Sequence, residues 1–262
     1  LSESLLSLGA QVVATARKPA VLADLAEKYP ASVQVLELDV TKPAQIDAAV
    51  KDALTRFGRI DVLVNNAGYG LAGGVEEAME SEFMPMFETN VFGLIRVTRA
   101  VLPQLRKQRS GHILNISSMA GLVGGAGWGF YNASKFAVEG FSEALAAEVA
   151  PLGIKVTIIE PGPFRTDFLG RSGVEAALRI PDYDATVGKT REYFNDQAGK
   201  QRGDPARAVE AMIAVVESAK PPLHLLLGKL ALDRLRGKLD LWDKEIAAWE
   251  STTLGADFPE GA

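Results

Sequence analysis

The feature that most constrains this chain is a repeated alternation of short β-branched runs with amphipathic helical stretches. Residues 11–16 (QVVATA), 33–38 (VQVLEL), 60–65, 113–117, 155–160 and 223–227 read as strands. Such apolar strands are buried on both faces, which happens when helices cover both sides of a parallel sheet. Between them, residues 19–29, 43–57, 81–108, 130–150 and 205–218 carry helical spacing. Pro19 and Pro43 suit first helical turns, where the missing N–H would be orphaned anyway. Thr41 is the expected cap of the helix that ends near Gly58. Pro85 is the expected bend in 81–108. Repeated β-α-β units predict an α/β fold: a doubly wound parallel sheet in three layers, one domain over residues 1–262.

Two stretches leave this rhythm. Residues 168–203 are mixed, polar and longer than an ordinary connection, which fits a lid over a binding site. Its apolar residues (among them Phe168, Leu169 and Phe194) would order over a ligand, with Gly170, Gly173, Gly188 and Gly199 as hinges. Residues 229–262 read as a C-terminal extension built on a basic amphipathic helix.

Composition narrows the function. With 28 basic and 33 acidic residues the net charge is −5, which disfavours a phosphate-coating nucleic-acid binder. Zero cysteines remove disulfides and thiolate catalysis. The two histidines stand far apart in sequence, so no metal site is expected. No apolar run is long enough for a membrane span. The first ten residues lack a basic head and cleavage signature. A cytoplasmic protein acting on a small molecule is the expectation.

The strongest local signal is Tyr131-Asn132-Ala133-Ser134-Lys135. Tyr and Lys four apart share a helical face. A phenol is a poor acid near neutrality, with an unperturbed pKa of about 10. A neighbouring ammonium favours the phenolate, so the pair is expected to exchange a proton with a substrate oxygen. Ser118 stands thirteen positions earlier, where the strand 113–117 ends. Ligands bind at strand C-termini in open parallel sheets. A hydroxyl there can orient a carbonyl beside the tyrosine. Asn65-Asn66-Ala67-Gly68 follows a second strand, Asn90 sits in ETNVFG, and Pro161-Gly162-Pro163-Phe164-Arg165-Thr166 follows a third.

In this order and spacing the motifs resemble the short-chain dehydrogenase/reductase family, from residue 11 to about 227. The tail PPLHLLLG and its helix resemble the hydroxysteroid- and retinol-dehydrogenase side of it. The resemblance implies a Rossmann-like fold and an oxidoreductase moving a hydride between a nicotinamide cofactor and an alcohol or carbonyl. It implies a catalytic tetrad: Tyr131 as acid/base, Lys135 lowering its pKa and holding the ribose, Ser118 fixing the substrate oxygen, and Asn90 holding a relay water. It places Asp39 and Val40 by the adenine, Asn66, Ala67 and Gly68 along the adenosine, and Phe164 and Thr166 at the carboxamide. In such folds an acidic residue after the second strand selects NAD. Here Ala16 is followed by Arg17, whose guanidinium suits a 2′-phosphate, so NADP is expected over NAD. Trp128, Phe130, Phe164 and Phe168 would line an apolar mouth for a small hydrophobic substrate. The family's helices corresponding to 90–105 and 131–150 pair with a second copy, so a homodimer or homotetramer is expected.

One departure stands out. The family's Gly-rich turn, which lets backbone N–H groups approach a pyrophosphate, is not found near Leu1. Roughly 15–25 residues preceding Leu1, enough for a strand, a turn and part of a helix, are therefore expected. Without that strand the runs 11–16 and 33–38 should be cut off from the sheet. A non-catalytic cofactor sensor, or an epimerase or dehydratase using the same tyrosine, remains open at this point.

Overall fold

The structure is a computed structural model that describes residues 1–170 and 172–258. Arg171, in the expected lid, and residues 259–262, at the end of the expected extension, lie outside the described residues.

The main sheet has four parallel strands in the order β3 (Val62–Asn65), β5 (Gly111–Ile116), β6 (Ile154–Pro161) and β8 (His224–Leu227). Its register pairs Val62 with His112, Ile113 with Val156, and Ile158 with His224. β1 (Val12–Ala16) and β2 (Val33–Glu37) pair only with each other, as a separate parallel ribbon. Leu6, on helix α1 (Ser2–Ser7), packs with Ala14 and Val33 to cover this ribbon. The separation is the one expected when no strand lies between β1 and β3.

Adjacent residues of a strand face opposite ways, and β5 shows what that does. Ile113 enters one core with Val101 and Leu105 of α5 (Leu94–Gln108), and with Leu145 and Val149 of α6 (Gly129–Val149). Leu114 enters a second core with Ile159, Leu227 and Val215 of α8 (Pro205–Glu217). One strand thus joins two helical layers, giving the three-layer doubly wound arrangement.

One local expectation changes, and two features were not anticipated. Thr41 does not cap α3 (Pro43–Phe57); its hydroxyl donates to Asp39 Oδ1 at 2.7 Å. Lys42 is the N-cap residue, without a side-chain bond. Within the stretch 81–108 a π-helical turn, Glu88–Gly93, lies between α4 (Glu80–Phe87) and α5. Pro85 lies inside α4, just before that turn. Such one-turn widenings cluster at functional positions, and this one carries Asn90 inward. Finally, β4 (Gly70–Ala72) pairs with β7 (Gly173–Glu175), a ribbon too short to announce itself by periodicity.

The segment after β6 contains β7 and α7 (Lys189–Asp196). Gly173 serves packing, not hinging: a Cβ there would stand 2.2 Å from the Phe194 ring. Gly188 is buried in a helical turn, so it too is no open hinge. After β8, α9 (Lys229–Leu254) runs outward with five basic and five acidic side chains, so it is charge-balanced where a basic helix was expected. No described helix is long and apolar enough to cross a membrane.

Candidate active site

The first turns of α6 carry Tyr131 and Lys135, both buried. The Tyr131 ring lies between Trp128, with centroids 5.6 Å apart, and Phe168 at 5.5 Å. Burial pushes its phenol up to about 12, while the Ser118 hydroxyl pulls the other way. Lys135 Nζ donates to the Ile116 carbonyl at 2.8 Å and lies 5.8 Å from the Tyr131 ring centre. Desolvation brings the ammonium down to about 8, opposed by the charge of Glu139 one turn on. The expected lowering of the phenol by Lys135 is therefore not met in this state. The low-dielectric surroundings of the ring outweigh an ammonium that points at a backbone carbonyl.

Ser118 follows β5 and caps the short turn Met119–Gly121, accepting from Ala120 N at 3.1 Å. Asn90 Oδ1 accepts from Tyr69 N at 3.0 Å; its Nδ2 donates to Tyr69 O at 2.9 Å and Ser134 Oγ at 3.2 Å. A Cβ on Gly68 would stand 3.0 Å from Asn90 Oδ1 and 3.7 Å from Lys135 Nζ. Glycine at 68 is thus what lets the asparagine, the lysine and the chain after β3 converge. All four expected catalytic residues come together around Tyr131 and Lys135.

The expected cofactor residues gather at the C-terminal ends of the strands. Arg17 is exposed after β1, close enough for its charge to act on Asp39 and Tyr69. Asp39 Oδ1 accepts from both the backbone and hydroxyl of Thr41, which lowers its pKa. Val40 packs against Gly93 of the π turn, where a Cβ would come within 2.6 Å. Asn66 and Ala67 are exposed beside half-buried Gly68. After β6, the Phe164 ring packs over Gly203 while its carbonyl accepts from Thr166 N at 2.9 Å. Thr166 Oγ1 accepts from Phe168 N at 3.3 Å and keeps its own proton to donate. Of the four aromatics expected at the mouth, Trp128 and Phe168 flank Tyr131. Phe130 instead stacks on Phe83 at 4.1 Å, and Phe164 belongs to the core beside Leu227.

Several supporting residues escaped the sequence reading. Asn132 Nδ2 donates to Ala120 O (2.8 Å) and Val123 O (3.2 Å), and its Oδ1 accepts from Gly125 N (3.1 Å). It fixes the glycine-rich loop against α6. Its place inside YNASK was a usable signal. A buried ladder runs from Asn65 to Thr98 and Asn115, and from Asn115 to Ser142, tying β3, β5, α5 and α6 together. Glu77 accepts from Gly74 N, Ile180 N and Arg191 Nη2 at 2.8–2.9 Å, which anchors the segment after β6. Beneath Lys135, Glu139 accepts from Ser117 Oγ, and His224 Nδ1 meets Glu160 Oε1 at 2.6 Å. Burial raises the pKa of both carboxyls, Glu139 to about 7.

The residue pattern of the short chain dehydrogenase family matches residues 1–175. The chain belongs to that family. Human retinol dehydrogenase 8 is 37% identical over 227 residues, spanning 82% of this chain and 71% of the relative. The crystal structure of a short-chain dehydrogenase from Streptomyces avermitilis superimposes with a TM-score of 0.91 at 43% identity, covering 98% of this chain and 94% of that one. The closed form of serine dehydrogenase complexed with NADP+ gives 0.74 at 28% identity, covering 87% and 89%. As a short-chain dehydrogenase the protein is an oxidoreductase.

Proposed function

We propose that this enzyme transfers a hydride between NADP(H) and an alcohol or carbonyl on a small hydrophobic molecule, with Tyr131 as the acid/base. One observation carries the reading: a buried phenol under the influence of the Ser118 hydroxyl, walled by Trp128 and Phe168, with Lys135 and Asn90 meeting at Gly68. When bound, the nicotinamide supplies or accepts the hydride. The residues present suit such a cofactor. Gly68 leaves a cradle that a Cβ would crowd, Thr166 offers a hydroxyl donor, and exposed Arg17 suits a 2′-phosphate. Asp39, Val40, Asn66, Ala67 and Phe164 would border the rest of it. An NADP-bound relative supports the same choice.

At neutral pH a phenol held near 12 is protonated. Tyr131 can therefore donate to a substrate oxygen that Ser118 orients, which suits carbonyl reduction. Lys135, with its ammonium near 8, stabilises the phenolate left behind, and Asn90 holds the chain at Tyr69 beside it. The segment 168–203 acts as a lid, since Phe168 closes one side of the phenol. Assembly is as a homodimer or homotetramer through α5 and α6.

Tyr131→Phe keeps the ring packing and removes the proton donor. NADPH oxidation against a panel of apolar ketones and aldehydes should fall ~10²-fold or more. A folded variant with near-normal turnover would exclude the assigned role. Slow cofactor consumption during full substrate conversion would point to an epimerase or dehydratase.

A further inference from the structure

We propose that α9 pairs antiparallel with α9 of a second copy of this chain, forming a short two-helix seam separate from α5 and α6. α9 is 26 residues long, about 39 Å at helical rise. Its foot is docked: Ala231 is fully buried, and Lys238 donates to the Leu122 carbonyl with its ammonium near the Phe136 and Trp242 rings. From Leu239 to Leu254 every residue is exposed.

Six apolar residues of this helix form one stripe, with Leu230, Leu241 and Leu254 lying off it. Leu232, Leu235, Leu239, Trp242, Ile246 and Trp249 follow one another at intervals of three, four, three, four and three. That is the a/d pattern of a helix built to face another helix. Leu239 is 46% exposed, Trp242 50%, Ile246 61% and Trp249 66%, so the stripe opens progressively toward solvent. An antiparallel partner centred between Asp240 and Leu241 sets Leu232 against Trp249, Leu235 against Ile246, and Leu239 against Trp242. Each layer then joins one a position to one d position.

The charges choose the partner and its direction. Along one flank of the stripe, at seven-residue steps, stand Lys229, Arg236, Asp243 and Glu250. Antiparallel self-pairing brings that flank against itself, so Lys229 meets Glu250 and Arg236 meets Asp243, each twice by symmetry. On the other flank Glu245 is the acidic member, while Lys238 is held by its own chain at the Leu122 carbonyl. A parallel pair would instead bring Glu245 toward Glu250 of the second copy. A lipid surface is disfavoured by the same count: membrane-surface helices carry a cationic polar face, and this helix is neutral overall.

The test uses the whole chain, by analytical ultracentrifugation from ~1 to ~100 µM, since so short a seam fits micromolar affinity. Ile246→Glu and Trp249→Glu, both at exposed positions, should leave the fold intact by circular dichroism. They should weaken self-association at least tenfold. Arg236→Asp and Asp243→Arg should each weaken it, and the two together should restore it. Trp242 and Trp249 are two of three tryptophans, so emission should shift blue on assembly. A monomer across the range, or assembly untouched by Ile246→Glu and Trp249→Glu, would overturn the seam. So would an emission shift seen only with phosphatidylserine vesicles. The readout is independent of catalysis, so loss of the proposed activity would leave it standing.

Discussion

Glu77→Gln is the most demanding test of how the segment after β6 is held over the tyrosine. Glu77 is 1% exposed and receives three donors, two on Oε2 and one on Oε1. Those donors hold its pKa down to about 2, from an ordinary value of 4.5, although burial pushes upward. A depressed carboxyl contributes stability that is fully present above 4.5 and is lost as pH falls through about 2. The gap corresponds to at most about 3 kcal/mol. Arg191 still touches water at 13% exposure, and screening brings the working figure to ~2 kcal/mol. Glutamine keeps the shape, but its amide nitrogen must face the Ile180 N–H, leaving a buried donor unpaired. A loss of about 2 kcal/mol speeds local opening about thirtyfold. Hydrogen exchange of residues 176–191 at pH 7 should rise by that factor, while β5 and β6 stay protected. Equal exchange rates in the two proteins would refute the claim that Glu77 clamps this segment.

Three further outcomes follow from the same geometry. Arg17→Asp should weaken NADP(H) at least tenfold more than NAD(H) by fluorescence titration; equal losses would remove Arg17 from the phosphate site. Leu105 is fully buried between α5, β5 and α6, so Leu105→Ala should cost about 2–5 kcal/mol in urea melts, and a smaller loss would mean the site collapses around the void. Burial holds the Glu139 carboxyl protonated up to about 7, so the folded chain binds that proton more tightly than the unfolded one. Stability should therefore decline as pH rises from 4.5 through about 7, and Glu139→Gln should flatten the decline; parallel stability–pH curves would contradict it.

Much of this was legible because it was local. The strands declared themselves by apolar runs, and the Tyr131–Lys135 spacing put both groups on one helical face. What stayed hidden depended on residues far apart in sequence. Glu77 looks like any acidic residue after a glycine pair, and only the folded chain brings Arg191 to it. The pairing of β4 with β7 involves three residues on each side, below what a two-residue period can reveal. In the stretch 81–108 Pro85 draws the eye because proline is the visible helix breaker. A π turn has no comparable residue signature, and it was the turn that brought Asn90 inside.

The phenol shows the same divide at the level of chemistry. Spacing alone places an ammonium next to Tyr131, and Coulomb attraction would then favour the phenolate. Whether it does depends on where the ammonium points and how much water the ring keeps. Here Trp128 and Phe168 exclude water from the ring, and Lys135 spends its proton on the Ile116 carbonyl. Desolvation acts on both groups at once, raising the acid and lowering the base. Their two values, nearly equal in water, therefore reverse order and move apart, the phenol to about 12 and the ammonium to about 8, and the neutral phenol persists. In the proposed reaction a polar substrate oxygen beside Ser118 would change that balance, because it would return to the site the hydrogen-bonding partner that burial removed. Proton transfer in the proposed reaction is thereby tied to the substrate: the phenol is a reluctant acid against its aromatic neighbours and a competent one once an oxygen is there to receive the proton.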